Sequence, residues 1–150
     1  MSTKKRLLFK IVAMILIVAC ILPVNTMAVE PRASDYLVSY SAYVYRAGWG
    51  KIQVWFDVTG TDYMDEIGAL EIQIYESTDN ANWNWVKTYG YSDNAGMLGY
   101  NDYVHAGHIE YKGTIGRYYK AYVCIWGGKD GDGDTRYFWT NSEKATLFAG

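Results

Sequence analysis

Apolar and polar residues alternate along most of the chain after residue 35, and no long stripe with helical spacing interrupts them. The clearest run is RYYKAYVCIW, residues 117–126. One face of this run consists of four residues: Tyr119, Ala121, Val123 and Ile125. A similar run, KIQVWFDV, has four apolar residues on one face: Ile52, Val54, Phe56 and Val58. A period of two is typical of strands that bury one face, so both runs are predicted to be β-strands.

Five further segments show the same alternation. The seven predicted strands cover residues 36–46, 51–58, 69–77, 83–91, 108–113, 117–126 and 135–140, and the tail 141–150 is expected to extend the last of them. In the third strand Leu70, Ile72 and Ile74 are predicted to face inward. The only candidate helix is YMDEIGAL, residues 63–70. Seven short strands separated by turn residues predict an all-β fold, a single antiparallel β-sandwich.

Three segments resemble parts of known families. IQIYESTDNANWNWVKTY, residues 72–89, resembles the third strand, turn and fourth strand of a fibronectin type III or immunoglobulin-like domain. GRYYKAYVCIW resembles the sixth strand of that fold, which implies a tyrosine-corner role for Tyr119. Residues 31–140 together resemble a domain-of-unknown-function family of small secreted proteins from Gram-positive, clostridia-like bacteria. That resemblance implies a secreted sandwich and supplies no activity or site residue.

The first 28 residues have the pattern of a secretory signal peptide. A basic segment, residues 4–6, precedes a long apolar run, and Thr26 and Ala28 supply the small residues of a cleavage site. An uncleaved anchor is one alternative, since the run approaches membrane-spanning length. Lipidation of Cys20 in the lipobox-like IVAC is a second, disfavoured because ILPV continues the apolar run. Cleavage would leave a secreted domain, residues 29–150. Losing four bases and no acid would change the net charge from −2 to −6, which argues against nucleic-acid or membrane-surface binding.

The segment GGKDGDGDTR suggests a calcium loop, since three aspartates alternate with glycines. An EF-hand loop needs glycine at position 6 and glutamate at position 12. Counted from Asp130, these positions hold Thr135 and Asn141, so the EF-hand is excluded. Aspartate and glycine are also the residues that a hairpin turn requires, and a turn is the first interpretation.

Other acids are expected near this turn, because loops after strands two, four and six of an immunoglobulin-like sandwich lie at one pole. Eight acids are predicted to meet at this acidic end: Asp62, Asp65, Glu66, Asp93, Asp102, Asp130, Asp132 and Asp134. Either water and salt screen the carboxylates, or Ca²⁺ lies among them. The candidate calcium ligands are Asp62, Asp65, Glu66, Asp130, Asp132 and Asp134. The generic ligand pattern favours a solvated rim, and no other cofactor is predicted.

His105, His108 and Cys124 are the remaining candidates for chemistry. Two histidines without a third ligand fall short of a transition-metal site, so surface or strand-end histidines are expected. Cys124 lies between aromatic residues on a strand, and a packed free thiol is expected there. No Gly-x-Ser-x-Gly or Ser-x-x-Lys motif follows residue 28. The chain is therefore predicted not to be an enzyme, and a small hydrolase is the least favoured alternative.

Large aromatic side chains occupy the outward positions of the predicted sheet. The predicted aromatic row contains Tyr75, Tyr118, Tyr122, Trp126, Tyr137 and Trp139. Such rings can bind a sugar or a partner protein, or they can pack on one another and beneath the segment 83–85. The row favours a secreted, non-catalytic binding module for a glycan, cell wall or host protein. A structural protein that self-associates is the alternative, and the oligomeric state is left open.

Overall fold

The computed structural model describes residues 34–150, and the predicted signal peptide lies outside the described residues. The strands are β1 (Leu37–Gly48), β2 (Lys51–Ser77), β3 (Asn84–Gly90), β4 (Leu98–Lys112), β5 (Tyr118–Lys129), β6 (Asp132–Trp139) and β7 (Glu143–Lys144). One turn of 3₁₀-helix, Ala95–Met97, precedes β4. No helix within residues 34–150 is long and apolar enough to cross a membrane. All strand pairs are antiparallel, which confirms the all-β prediction.

The strand β2 is continuous over 27 residues. The sequence predicts two strands here, with an acidic loop and a candidate helix between them, and that prediction is wrong. Its first half pairs with β1 and β4, and its second half pairs with β3 and β5. Met64 and Ile67 are buried in the middle of the strand. Backbone hydrogen bonds to neighbouring strands and buried side chains therefore continue through the middle of β2. The backbone groups are satisfied there by strand pairing, so the segment does not form a helix.

The long strand connects the two layers of the sandwich. One layer contains β1, the first half of β2 and β4, and the other has the order β3, second half of β2, β5, β6. At the junction Gly68 has φ +145°, and a Cβ there would lie 2.2 Å from the carbonyl oxygen of Met97. Only glycine fits so close to another backbone.

The core lies between the two layers. The apolar faces predicted for residues 51–58 and 117–126 are confirmed, because all eight inward side chains are buried. The third predicted strand is only partly right. A register shift between Ala69 and Glu71 turns Ala69 into the core and leaves Leu70 half-buried, while Ile72 and Ile74 are buried as expected. Each fully buried aliphatic or aromatic side chain stabilises the fold by roughly 1.5–3 kcal/mol.

The C-terminal segment continues the line of β6 along β5, as expected, and then reaches the edge of β1. β7 pairs with the start of β5, and Ala149 forms an isolated bridge with Ala47 of β1. The Asn141 side chain accepts a hydrogen bond from the Val44 N–H and donates one to the Val44 carbonyl. The edge of β1 is thus covered, a common protection against unwanted strand pairing. The fifth predicted strand is longer than expected, since β4 begins ten residues earlier than residue 108.

Tyr119 makes the contact that its tyrosine-corner position implies. Its ring is fully buried, and its hydroxyl accepts a hydrogen bond of 2.7 Å from the Thr114 backbone N–H. The hydroxyl also donates to the carboxylate of Glu76, which forms an ion pair of 3.0 Å with Arg117. Burial and the Glu76 carboxylate raise the pKa of Tyr119 to about 12. The contact ties β2, β5 and the turn before β5 together.

Candidate functional site

The outer surface of the β3–β2–β5–β6 layer carries a cluster of aromatic rings, here called the aromatic face. Its members are Tyr75, Trp83, Trp85, Tyr122, Tyr137 and Trp139. Cross-strand pairing explains the cluster, since Tyr122 lies opposite Trp139 in β6 and opposite Gln73 in β2. Tyr75 occupies the neighbouring position of β2, opposite Trp85 of β3. Neighbouring strands thus place rings from four segments on one surface.

Four residues of the predicted aromatic row come together in this face. The ring centroids of Tyr122 and Trp139 lie 4.8 Å apart, and those of Tyr75 and Trp139 lie 4.9 Å apart. Tyr122 and Tyr137 are nearly parallel at 5.9 Å. Tyr137 remains 61% exposed and Trp139 47% exposed. The rings therefore contact one another without covering the surface.

The sequence left open that the segment 83–85 covers the predicted aromatic row. In the structure Trp83 and Trp85 instead extend the aromatic face. Trp85 is 58% exposed, and its indole N–H donates to the Thr88 hydroxyl at 3.0 Å. Lys120, opposite Tyr75 in the register, places its ammonium nitrogen 4.4 Å from the Trp83 ring and 4.2 Å from the Trp139 ring. In the sequence, the pattern WNW places two tryptophans two residues apart, at the start of the strand that pairs with that of Tyr75. That pattern was the signal that could have assigned both indoles to this surface.

A line of polar side chains lies within the aromatic face. The Tyr75 hydroxyl donates to the Gln73 side-chain oxygen at 2.9 Å, and the Gln73 amide nitrogen donates to the Glu71 carboxylate at 2.6 Å. These bonds fix the orientation of the Gln73 amide. Hydrogen-bonding groups beside apolar rings are the combination that orients ligands in binding sites.

The other two residues of the predicted row, Tyr118 and Trp126, make no ring contact with this cluster within residues 34–150. Tyr118 is at one end of β5, where its ring contacts the Lys144 ammonium at 4.8 Å from the centroid. Trp126 lies over the glycines of the β5–β6 hairpin. A Cβ on Gly128 or Gly133 would approach its indole to 2.4 Å or 2.3 Å. Because those glycines have no Cβ, the Trp126 ring packs directly against the hairpin backbone at the acidic end, away from the aromatic face.

The hairpin turn at the acidic end is confirmed. Asp130 and Gly131 have φ of 55° and 82°, and Lys129 pairs with Asp132 across them. Positive φ at both central residues identifies the two-residue hairpin turn for which Asp-Gly is favoured. The Asp130 backbone N–H donates to the Asp65 carboxylate at 2.7 Å, so β2 and the hairpin do meet.

Several acids of this end are bound to protein groups, among them Asp62, Asp65 and Asp134. Lys129 forms an ion pair of 2.6 Å with Asp62, and this hydrogen bond lowers the pKa of that carboxyl. Arg136 binds Asp134. Asp102 accepts the N–H of Tyr103 at 2.7 Å. No group of three or more His, Cys, Asp or Glu side chains between residues 34 and 150 is arranged to hold a metal ion.

The predicted loop pole is accordingly corrected. Six of the eight acids are strand residues, namely Asp62, Asp65 and Glu66 in β2, Asp102 in β4, and Asp132 and Asp134 in β6, so only Asp93 and Asp130 lie in turns. Asp93 lies in the connection after β3. A depression of about 470 Å³ remains between β2, β4 and the hairpin, lined by Asp65, Glu66, Tyr100, Trp126, Gly128, Lys129, Gly131 and Asp132.

The histidines and the cysteine serve packing. The His105 ring nitrogen Nε2 is 2.9 Å from the Gly96 carbonyl oxygen, and His108 stacks on Trp55 at 4.3 Å. Their burial alternates along β4, which places the two rings on opposite faces. Cys124 is a buried free thiol, and burial raises its pKa, so a packed thiol is what the structure shows.

Comparison of the chain with protein-family models, curated proteins and solved structures finds no match. The resemblance to the secreted family of clostridia-like bacteria stays a prediction. The fold and its surface define an all-β sandwich that displays an open cluster of six aromatic rings on one sheet face.

Proposed function

We propose that the protein is a secreted, non-catalytic binding module that binds a glycan through the aromatic face. The observation that supports this most directly is the exposure of Tyr137, Trp139 and Trp85 on one sheet surface. A contiguous patch of exposed aromatic rings is rare on a monomeric protein unless it contacts a ligand or partner. The secreted location rests on the signal-peptide pattern of residues 1–28.

The chemistry of the aromatic face suits a sugar. A sugar ring presents C–H groups on its faces and hydroxyl groups at its edge, so it needs apolar rings and hydrogen-bonding groups side by side. Trp139 and Tyr137 supply the rings, while Gln73, Glu71 and the Tyr75 hydroxyl supply donors and acceptors within the same sheet. A sheet also holds these groups rigidly, which reduces the entropy lost on binding.

Mutual packing accounts for part of this cluster. Cross-strand aromatic pairs stabilise a sheet by roughly 0.2–1 kcal/mol each. Tyr122 is half-buried beneath its neighbours and fits that role. Tyr137 and Trp139 are more exposed than packing alone requires, so their substitution is expected to separate ligand binding from stability.

The test is retention of residues 29–150 on insoluble glycans, namely cellulose, chitin, purified peptidoglycan and resin-bound polygalacturonate. The double variant Tyr137→Ala, Trp139→Ala is expected to lose at least about tenfold in affinity, since an exposed aromatic contact is worth up to roughly 1.5 kcal/mol. Its melting temperature should fall by only a few degrees. Tyr43→Ala is the matched control, because Tyr43 is an exposed strand tyrosine of the β1 layer.

Two outcomes would overturn the proposal. The first is no retention of the wild-type domain on any of these glycans. The second is equal loss for the double variant and for Tyr43→Ala. If wild-type retention instead rises steeply with protein concentration and sedimentation shows oligomers that the double variant lacks, the face is a self-association surface.

A further inference from the structure

The charge on the aromatic face is concentrated at one end. Lys120 lies between the Trp83 and Trp139 rings, and Lys144 lies over Tyr118, the next outward residue along β5. Tyr118 pairs with Lys144 across the β5–β7 ladder, so the two lysines are diagonal neighbours. Such neighbours lie roughly 7–8 Å apart, with a somewhat shorter distance between their Cβ atoms. Two ammonium groups therefore share this end of the face, so an anion is attracted locally here although the net charge of −6 predicted for residues 29–150 repels anions from the domain as a whole.

Neither lysine takes part in an ion pair within residues 34–150, where the four pairs involve Lys51, Arg117, Lys129 and Arg136. The Asp79 carboxylate accepts hydrogen bonds from Ser77, Ala81 and Asn82, which lower its pKa. These bonds hold Asp79 in the turn after β2, so an acid close in sequence to Trp83 is already satisfied.

Glu71 is the acid of the same outer surface in β2. It lies four residues from Tyr75, the residue opposite Lys120, which is about 13 Å along an extended strand. Its carboxylate accepts the Gln73 amide at 2.6 Å. The aromatic face thus has ammonium groups at one end and a carboxylate farther along, with rings between them.

Aromatic rings fix the position of the Lys120 ammonium. The nitrogen is within about 6 Å of two ring centroids, the range in which a cation is attracted to the ring. Indole contacts replace part of the water around the charge, and they restrict a side chain that is otherwise flexible. The Lys120 ammonium is thus a fixed, partly dehydrated cation beside exposed aromatic rings. It is complementary to a ligand that carries an anionic group next to an apolar ring face.

We propose that the ligand of the aromatic face is an acidic glycan, whose anionic group is bound by Lys120 while its sugar ring contacts Trp139. Lys144 binds a further acidic group of the same polymer. This inference rests on the proposed glycan-binding function and adds the charge of the ligand. Carboxylate and sulfate sugars share the required chemistry, and the choice between them is made by experiment.

The experiment is electrophoresis of residues 29–150 through gels containing polygalacturonate, dextran sulfate or neutral dextran. Polygalacturonate or dextran sulfate is expected to retard the protein at least about tenfold more strongly than dextran, with weaker binding at about 0.5 M salt than at about 0.05 M. Retardation by only one of the two anionic polymers identifies the acidic group. Lys120→Gln is expected to weaken that binding about tenfold and to reduce its salt dependence, and Lys120→Arg should keep most of it.

Lys87→Gln is the matched control, since Lys87 contacts Tyr89 on β3 and lies outside the aromatic face. Lys144→Gln provides a second test if Lys120→Gln does not fold. Equal binding of neutral and anionic glycans, or equal effects of Lys120→Gln and Lys87→Gln, would overturn the inference and leave the glycan-binding function standing. Anionic binding that survives Tyr137→Ala, Trp139→Ala would be simple ion exchange and would overturn both.

Discussion

Replacing Tyr119 with phenylalanine removes one hydroxyl from the buried contact between β2, β5 and the turn before β5. The Thr114 N–H loses its acceptor at 2.7 Å, and an unsatisfied buried donor costs roughly 1–3 kcal/mol. The Glu76 carboxylate loses one donor but keeps Arg117 at 3.0 Å, so this part of the loss is smaller. The expected loss is about 2–3 kcal/mol in the free energy of unfolding, with a decrease of about 10 °C in melting temperature.

Urea unfolding followed by tryptophan fluorescence measures this loss, and a calorimetric melt checks it. Tyr111→Phe is the control, because its ring lies 5.7 Å from that of Tyr119 while no hydrogen bond of its hydroxyl is found within residues 34–150. The control should change stability by less than about 0.5 kcal/mol, as substitutions away from such contacts do. A Tyr119→Phe loss no larger than that of the control would refute the structural role of the hydroxyl.

Further predictions concern pH, backbone crowding, calcium and the thiol. Since the pKa of Tyr119 is about 12 in the folded protein against 10 in the unfolded chain, the stabilisation by its neutral hydroxyl is complete below pH 10 and is lost as the pH rises to about 12. The stability difference between wild type and Tyr119→Phe should therefore shrink over that range in urea titrations, and a constant difference would contradict the assignment. Gly68→Ala should destabilise by more than about 3 kcal/mol because its Cβ would meet the Met97 oxygen, while Gly96→Ala, which meets nothing within 4 Å, should stay within about 0.5 kcal/mol. Excess Ca²⁺ after EDTA should shift the melting temperature by less than about 1 °C, because protein groups already bind the acids, and a shift of about 4–8 °C would reveal a cation site. Cys124 should react with Ellman's reagent at least about 100-fold more slowly in the folded protein than in urea, and a fast reaction would contradict its burial.

The sequence determined the features that depend on neighbouring residues. A period of two placed Ile52, Val54 and Phe56 in the core, because a strand sends successive side chains to opposite sides. Asp130 and Gly131 determined a tight hairpin, because both tolerate positive φ. These local rules were enough to predict an all-β sandwich and the outward positions of most aromatic side chains.

Only the tertiary structure decided how distant segments use those features. Residues 59–68 read as a loop and a helix, yet strand partners on both sides make them part of β2, because backbone pairing across the sheet outweighs local preference. The same strand pairing brings Asp62 into an ion pair with Lys129 and brings Asp65 within hydrogen-bond distance of the Asp130 N–H. These two acids, which the sequence predicts as candidate calcium ligands, are therefore bound within the protein.

The candidate site shows the same division. The alternation within β5 and β6 put Tyr122 and Trp139 on an outward face, but strand register brought their rings to 4.8 Å. Trp83 and Lys120 joined the site only because β3 and β5 lie on either side of the second half of β2. The chain alone fixed which side chains point outward, whereas the strand order, set by hydrogen bonds between distant segments, decided which of them meet.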